Sequence, residues 1–158
     1  MEHSVTLHTP VGPMRLTATD EAITGLHFVG DAEAGSLDGS EAPTPLLRQA
    51  VQELQAYFAG ERRTFDLPLA PAGTPFQQEV WAALREIPYG ETRTYGQIAA
   101  RIGRPKACRA VGMANNRNPI AIIVPCHRVV GASGALVGYA AGLSVKEKLL
   151  KIERMNNE

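Results

Sequence analysis

The sequence predicts an α+β protein of two small domains, and three observations carry that reading. Short β-type runs fill the chain before Gly30, helical periods dominate from Pro45 onward, and Ala70-Pro71-Ala72-Gly73 punctuates a change of charge. Residues 1–72 hold four Arg and Lys against ten Asp and Glu, whereas residues 73–158 hold twelve against six. A chain of 158 residues with zero net charge is thus split into an acidic and a basic part, and it is long enough to bury a core without cross-links. The expected domains are residues 1–72 and residues 73–158.

Ser4–His8, Met14–Thr19 and Ile23–Val29 are separated by Thr9-Pro10-Val11-Gly12-Pro13 and by Asp20-Glu21, the pattern of an antiparallel meander. Gly30–Pro45 is rich in Gly, Ser, Asp and Pro and reads as an exposed loop. Leu46, Leu47, Ala50, Val51, Leu54, Tyr57 and Phe58 then recur at helical spacing in Pro45–Phe58, giving one face to cover the sheet, with Gly60 as the stop. Thr64–Leu69 returns as a strand or an extended segment.

The second domain opens with Thr74 as N-cap and Pro75 at the first helical position, before Phe76, Val80, Trp81 and Leu84. Ile87-Pro88-Tyr89-Gly90 is a turn. Thr94–Ile102 and Pro105–Ala114 are two short helices around Gly103-Arg104, a spacing that fits a helix-turn-helix and equally an ordinary helical hairpin. Asn115-Asn116-Arg117-Asn118-Pro119 ends the second of these and feeds Ile120–Val124, an apolar run expected as a buried strand. Gly131, Gly134, Gly138 and Gly142 make Val129–Gly142 a loop able to approach a ligand closely. Ser144 is placed to cap a final helix, with Glu147 opposite it, and Val145, Leu149, Leu150 and Ile152 dock that helix.

Chemistry concentrates in Pro125-Cys126-His127-Arg128. A thiol near positive charge ionises more readily than a free one and attacks electrophilic carbon, although a buried Cys-His neighbour pair can equally be inert core. Asn118 ties the loop before it by side-chain to backbone hydrogen bonds, or orients something in a pocket. Between Arg85 and Arg128 eight positive side chains meet only Glu86 and Glu91, a footprint for a polyanion, though solvated helix faces and attraction to the acidic half compete with that reading. Cys108 and Cys126 are the only cysteines, no CxxC occurs, and the four histidines are mostly far apart, so spacing shows no zinc pattern. Met1-Glu2-His3-Ser4 does not lead into an apolar run, and no apolar stretch reaches about eighteen residues, so a soluble cytoplasmic protein is expected.

Phe76-Gln77-Gln78-Glu79-Val80-Trp81, Ile87-Pro88-Tyr89-Gly90-Glu91-Thr92, Thr94-Tyr95-Gly96-Gln97-Ile98-Ala99, Arg109-Ala110-Val111-Gly112 and Pro125-Cys126-His127-Arg128-Val129-Val130 together resemble the O6-alkylguanine-DNA alkyltransferases. The resemblance runs through residues 73–154. It implies a ribonuclease H-like sheet-plus-helix first domain and a mainly helical, winged-helix-like second domain with a helix-turn-helix. It further implies irreversible transfer of an alkyl group from O6 of guanine, and more weakly from O4 of thymine, in double-stranded DNA to Cys126, without a cofactor. By that resemblance His127 is the base, acting through a water, Glu153 orients it, and Asn118 organises the loop. Tyr95 and Arg109 serve base flipping, Ala110 and Gly112 permit close approach to the minor groove, and Arg128 lies with these DNA-contacting residues. Val129 and Tyr139 line the guanine pocket, where Ala140 departs from the serine of many relatives. No metal site, no membrane and a monomer are implied, with cooperative assembly on DNA open.

Overall fold

Met14, Leu16 and Ala18 point to one side of their strand and are fully buried, while Arg15 and Thr17 alternate with them. That strand, β2 (Met14–Ala18), is the centre of an antiparallel meander in the computed structural model, which describes residues 2–30, 42–134 and 142–156. It pairs with β1 (His3–Leu7) in the register Val5 to Leu16 and with β3 (Ile23–Phe28) in the register Leu16 to Leu26. A bulge at Thr17 and Ala18 adds local twist to the sheet. Ile23 also bridges Leu69 in parallel, so the segment at 64–69 is extended and pairs at that bridge. Helix α1 (Pro45–Phe58) lays Leu47, Ala50, Leu54 and Tyr57 on the sheet. Thr44 caps it by accepting from the Leu47 amide, and Gly60 closes it at φ +78°. Buried Glu53 ties the chain beyond α1 to the helix, accepting from the Asp66 amide at 2.8 Å and pairing with Arg62 at 3.1 Å. The chain divides into two compact units, Met1–Ala72 and Gly73–Glu158.

In the second unit α2 (Pro75–Leu84) begins with a reciprocal cap, Thr74 accepting from the Gln77 amide and Gln77 accepting from the Thr74 amide. Gly73 lies so close to Trp81 that a Cβ there would sit 2.4 Å from the indole ring. The indole Nε1–H donates to the Ala114 carbonyl at 2.9 Å, which fixes α2 to the end of α4 (Cys108–Asn116). Strand β4 (Arg93–Thr94) leads into α3 (Tyr95–Arg101), again through a reciprocal cap between Thr94 and Gln97. Gly103, at φ +77°, ends α3 with the Arg104 amide reaching back to Ala99, so α3 and α4 form a helix-turn-helix packed on α2.

Three expectations need correction. Helix α4 starts at Cys108 rather than Pro105, because Arg104–Ala107 close a turn of their own, and it runs on to Asn116. Ile120–Val124 is a buried turn, not a strand, with Ile122 at φ +70° and the Val124 amide bonded back to Ile120. The final helix, α5 (Leu143–Asn156), takes its first backbone bond from Lys146 to the Gly142 carbonyl, which leaves Ser144 inside the first turn instead of at the cap. Its buried stripe is Lys146, Leu149, Leu150 and Glu153, while Val145 and Ile152 are half-buried.

Candidate active site

Cys126, His127 and Arg128 form one 3₁₀ turn, and Val129 and Val130 continue from it as β5. Parallel pairing of Arg93 with Val129 and of Thr94 with Val130 sets the start of α3, and hence Tyr95, beside the turn. Asn118 shapes the approach. Its Oδ1 accepts from the Ile120 amide at 3.0 Å and its Nδ2 donates to the carbonyls of Val124 at 2.8 Å and Ile120 at 3.3 Å. These bonds enclose Ile122, a β-branched residue in the left-handed region, where the backbone costs on the order of 1–3 kcal/mol unless its surroundings hold it. From α4, buried Asn115 donates to the Cys126 carbonyl at 3.3 Å.

Behind the cysteine lies a buried charged cluster. His127 Nε2 is 2.6 Å from Glu153 Oε2, and both side chains are fully buried. Arg128 donates from Nε to Glu153 Oε1 at 2.8 Å, from Nη2 to Oε2 at 3.1 Å and from Nη1 to the Ile87 carbonyl at 2.8 Å. Its guanidinium also lies 5.6 Å from the centre of the Tyr89 ring. A phosphate ligand must present its charge to solvent, and Arg128 is 6 % exposed with its donors turned inward, so the expected DNA contact is corrected to an internal ion pair. The Gly90 amide adds a further bond to Glu153 Oε1 at 3.2 Å.

Burial alone would raise the Glu153 carboxyl, but hydrogen bonds and charges from His127 and Arg128 outweigh it and hold it at about 2. Burial lowers the His127 imidazole despite its bond to Glu153, and the positive charges of Arg128 and Lys146 push the same way. The imidazole is therefore neutral near pH 7. With a carboxylate at Nε2 the hydrogen-bond network assigns the proton to that nitrogen, leaving the Nδ1 lone pair, which has no partner among the described residues, to accept.

Two residues of this cluster were not anticipated from the sequence. Asn115 sits in a polar stretch that reads as a helix end. Lys146 reads as a solvated helix residue, yet it is fully buried, and its Nζ is 5.9 Å from the centre of the Tyr95 ring. The signal was the spacing 146, 149, 150 and 153, which puts a lysine and a glutamate in one stripe with two leucines. Tyr95 is half-buried at the first residue of α3, and burial, then the field of Cys126, raises its hydroxyl.

Arg109, Ala110 and Arg117 are exposed on α4 or at its end. Gly112 is half-buried and faces inward, since a Cβ there would rest 3.8 Å from the Tyr95 ring. Val129 is fully buried, and Tyr139 lies outside the described residues. Among the described residues no three His, Cys, Asp or Glu side chains group as metal ligands, and no helix is long and apolar enough to cross a membrane.

A helix-turn-helix joined to a cysteine with a His-Glu pair behind it defines a class of proteins that bring a nucleophilic thiol to nucleic acid. Residues 75–155 match the family described as 6-O-methylguanine DNA methyltransferase, DNA binding domain, and residues 3–71 match the ribonuclease-like domain of the same family. The methylated-DNA–protein-cysteine methyltransferase of Methanosarcina acetivorans is 57% identical over 146 residues, 92% of this chain and 94% of that protein. The constitutive enzyme of that name from Bacillus subtilis is 48% identical over 164 residues, 99% and 98% of the two chains. The crystal structure of Mycobacterium tuberculosis OGT in complex with DNA superposes with a TM-score of 0.86 at 49% identity, covering 98% of this chain and 94% of that one. The chain belongs to the 6-O-methylguanine-DNA methyltransferase family.

Proposed function

We propose that Cys126 is the acceptor in a direct, irreversible transfer of an alkyl group from O6 of guanine in double-stranded DNA, one event per molecule. DNA repair by alkyl transfer to cysteine is the function of this chain, and methylated-DNA–protein-cysteine methyltransferase is its enzyme class. The observation that carries the assignment to Cys126 is the buried 2.6 Å contact between His127 and Glu153 directly behind it.

The thiol proton passes through a water to His127 Nδ1, and Glu153 stabilises the imidazolium formed at that moment. The thiolate then attacks the alkyl carbon in line with O6. An S–C bond forms, the C–O6 bond breaks with its electron pair going to O6, and the guanine leaves restored after taking up a proton. Asn118 keeps the strained turn before Cys126 in shape. Val129 is assigned to the wall of the base pocket, and Tyr139 and Ala140 lie outside the described residues. O4-alkylthymine is the weaker substrate, no cofactor is required, and the protein works in the cytoplasm as a monomer that can assemble along DNA.

The lesion must leave the stack before it can react. Arg109, exposed on α4 together with Ala110, fills the vacated place from the minor groove, and Tyr95 turns the phosphate. Arg109→Ala is expected to slow reaction with duplex by about tenfold, or ~1.4 kcal/mol, because part of the few kcal/mol needed for flipping is no longer offset. Reaction with the free O6-methylguanine base stays unchanged, and an equal loss on both substrates would remove the wedge role.

The test of the function is intact-protein mass after incubation with excess duplex holding one O6-methylguanine, followed by peptide mapping. One methyl on Cys126 is expected. A folded, reduced protein that binds the lesion and gains no mass is instead a lesion-recognition protein.

A further inference from the structure

Helix α4 has two unlike faces. Val111, Ala114 and Asn115 are buried and Gly112 turns to the Tyr95 ring, whereas Arg109, Ala110, Met113, Asn116 and, at the helix end, Arg117 are exposed. At about 3.6 residues per turn these five fall within roughly a third of the helix circumference, with Met113 between the two arginines. Met113 is 55 % exposed, and the other large apolar side chains so exposed among the described residues, Leu143 and Met155, stand near the two ends of α5. The face is set apart in charge as well. Helix α4 carries no carboxylate, and neither Arg109 nor Arg117 has an acidic partner among the described residues, while Arg93, Arg101 and Arg104 of the same unit are paired with Glu91, Glu86 and Glu79.

An apolar side chain flanked by arginines that no carboxylate neutralises fits the minor groove of duplex DNA, where phosphates line both edges and the floor is the edges of stacked bases. An α-helix is about 10–12 Å across and the minor groove about 6 Å wide, so α4 cannot settle there until the groove opens. Apolar side chains, methionine among them, open it by entering between base steps, and a flexible thioether fills the gap without reading the sequence. Along the helix axis Met113 lies about 6 Å from Arg109, close to two base steps of about 3.4 Å each. We infer that Met113 is a second wedge: while Arg109 fills the place of the extruded nucleotide, Met113 enters the minor groove about two base steps away and loosens the stack there. One deformation of the duplex then serves both side chains, and extrusion costs less than it would with Arg109 alone.

The inference rests on the reading of α4 as the minor-groove helix, and its test separates the two. Binding to a duplex with one O6-methylguanine is followed in the Cys126→Ser background, where no transfer intervenes, over a series of salt concentrations. Met113 is exposed, so Met113→Ala leaves the core intact. That variant is expected to bind about five- to tenfold more weakly with an unchanged dependence on salt, the mark of a lost apolar contact and not of a lost phosphate contact. Met113→Leu is expected to recover most of the affinity. Unchanged affinity in Met113→Ala, or a loss that comes with a lower salt dependence, overturns the inference.

The place of contact is read by 2-aminopurine, a base whose fluorescence is quenched by stacking, set two steps to the 5′ side of the lesion in one duplex and two steps to the 3′ side in another. One of the two duplexes is expected to brighten on binding the protein with Met113 and to stay dark with Met113→Ala. Brightening in neither duplex, or brightening that survives the substitution, overturns the inference. Arg109→Ala sorts the two readings. If neither Arg109→Ala nor Met113→Ala weakens binding, the minor-groove reading of α4 fails and the wedge with it; if Arg109→Ala alone does, only the role of Met113 fails.

Discussion

Cys126→Ser protein is expected to gain no methyl group from an O6-methylguanine duplex, a fall in transfer rate of about four orders of magnitude or more. Serine keeps the shape of the 3₁₀ turn and the backbone bonds that define it, namely the Cys126 amide to Val124 and the Asn115 side chain to the Cys126 carbonyl. What it removes is an ionisable, polarisable nucleophile. A hydroxyl in the same place stays protonated at neutral pH and cannot displace an alkoxide-like oxygen from an sp³ carbon at a useful rate. Duplex affinity is expected to remain within about 0.5 kcal/mol of the unsubstituted protein, since Cys126 is 5 % exposed and lies off the outer face of α4. Intact mass and a binding isotherm on the same sample check both halves, and methylated Cys126→Ser protein would move the acceptor elsewhere.

Glu153→Ala is expected to be the most damaging single change to stability, costing on the order of 3–5 kcal/mol, because it leaves the buried Arg128 guanidinium without its counter-charge. Against a total of about 5–15 kcal/mol that loss brings the fold close to its limit. Denaturant melts measure it directly, and a cost below about 1 kcal/mol would contradict a buried pair. Glu153→Gln separates structure from chemistry. The amide retains an oxygen for Arg128 or Gly90 but offers N–H to His127 Nε2, which drives the histidine proton to Nδ1 and removes the acceptor facing the thiol. Transfer is expected to fall even where the Gln variant folds.

The same carboxylate sets acid sensitivity. Its folded value of about 2 lies below the ordinary 4.5, so between those values the unfolded chain binds a proton that the folded chain does not. The corresponding ~3 kcal/mol is fully present above about pH 4.5 and is lost as the pH falls towards 2. His127 acts in the same direction at higher pH, because a lowered imidazole value also favours the unfolded state on acidification.

Local rules were readable where one residue type has one job. Thr74 and Thr94 announce their helices by capping them, Pro75 opens α2, and the glycines at 60 and 103 stop α1 and α3. The alternation in β2 gave its buried face directly. The misreadings involve side-chain partners that hydrophobic patterning does not reveal. Arg128 looks like a phosphate ligand within a basic stretch, and only Glu153, brought in on α5, turns it inward. Ile120–Val124 is apolar enough for a strand, and the turn comes from Asn118 gripping it from outside, with no glycine marking Ile122. In α5 the choice between neighbouring stripes depended on whether Lys146 or Val145 faced inward, and hydrophobicity alone selects valine. Burial of the lysine becomes intelligible only beside the Tyr95 ring.

Glu153 lies on a helix that follows the nucleophile in the chain, and this orders events in time. During synthesis Cys126, His127 and Arg128 emerge before α5 exists, so the nascent chain lacks the carboxylate that holds the imidazole and pairs with the guanidinium. A protein spent by a single reaction would be wasted by an electrophile met too early. Placing the carboxylate on α5 delays the arming of the thiol until the helix-turn-helix that precedes it has been made.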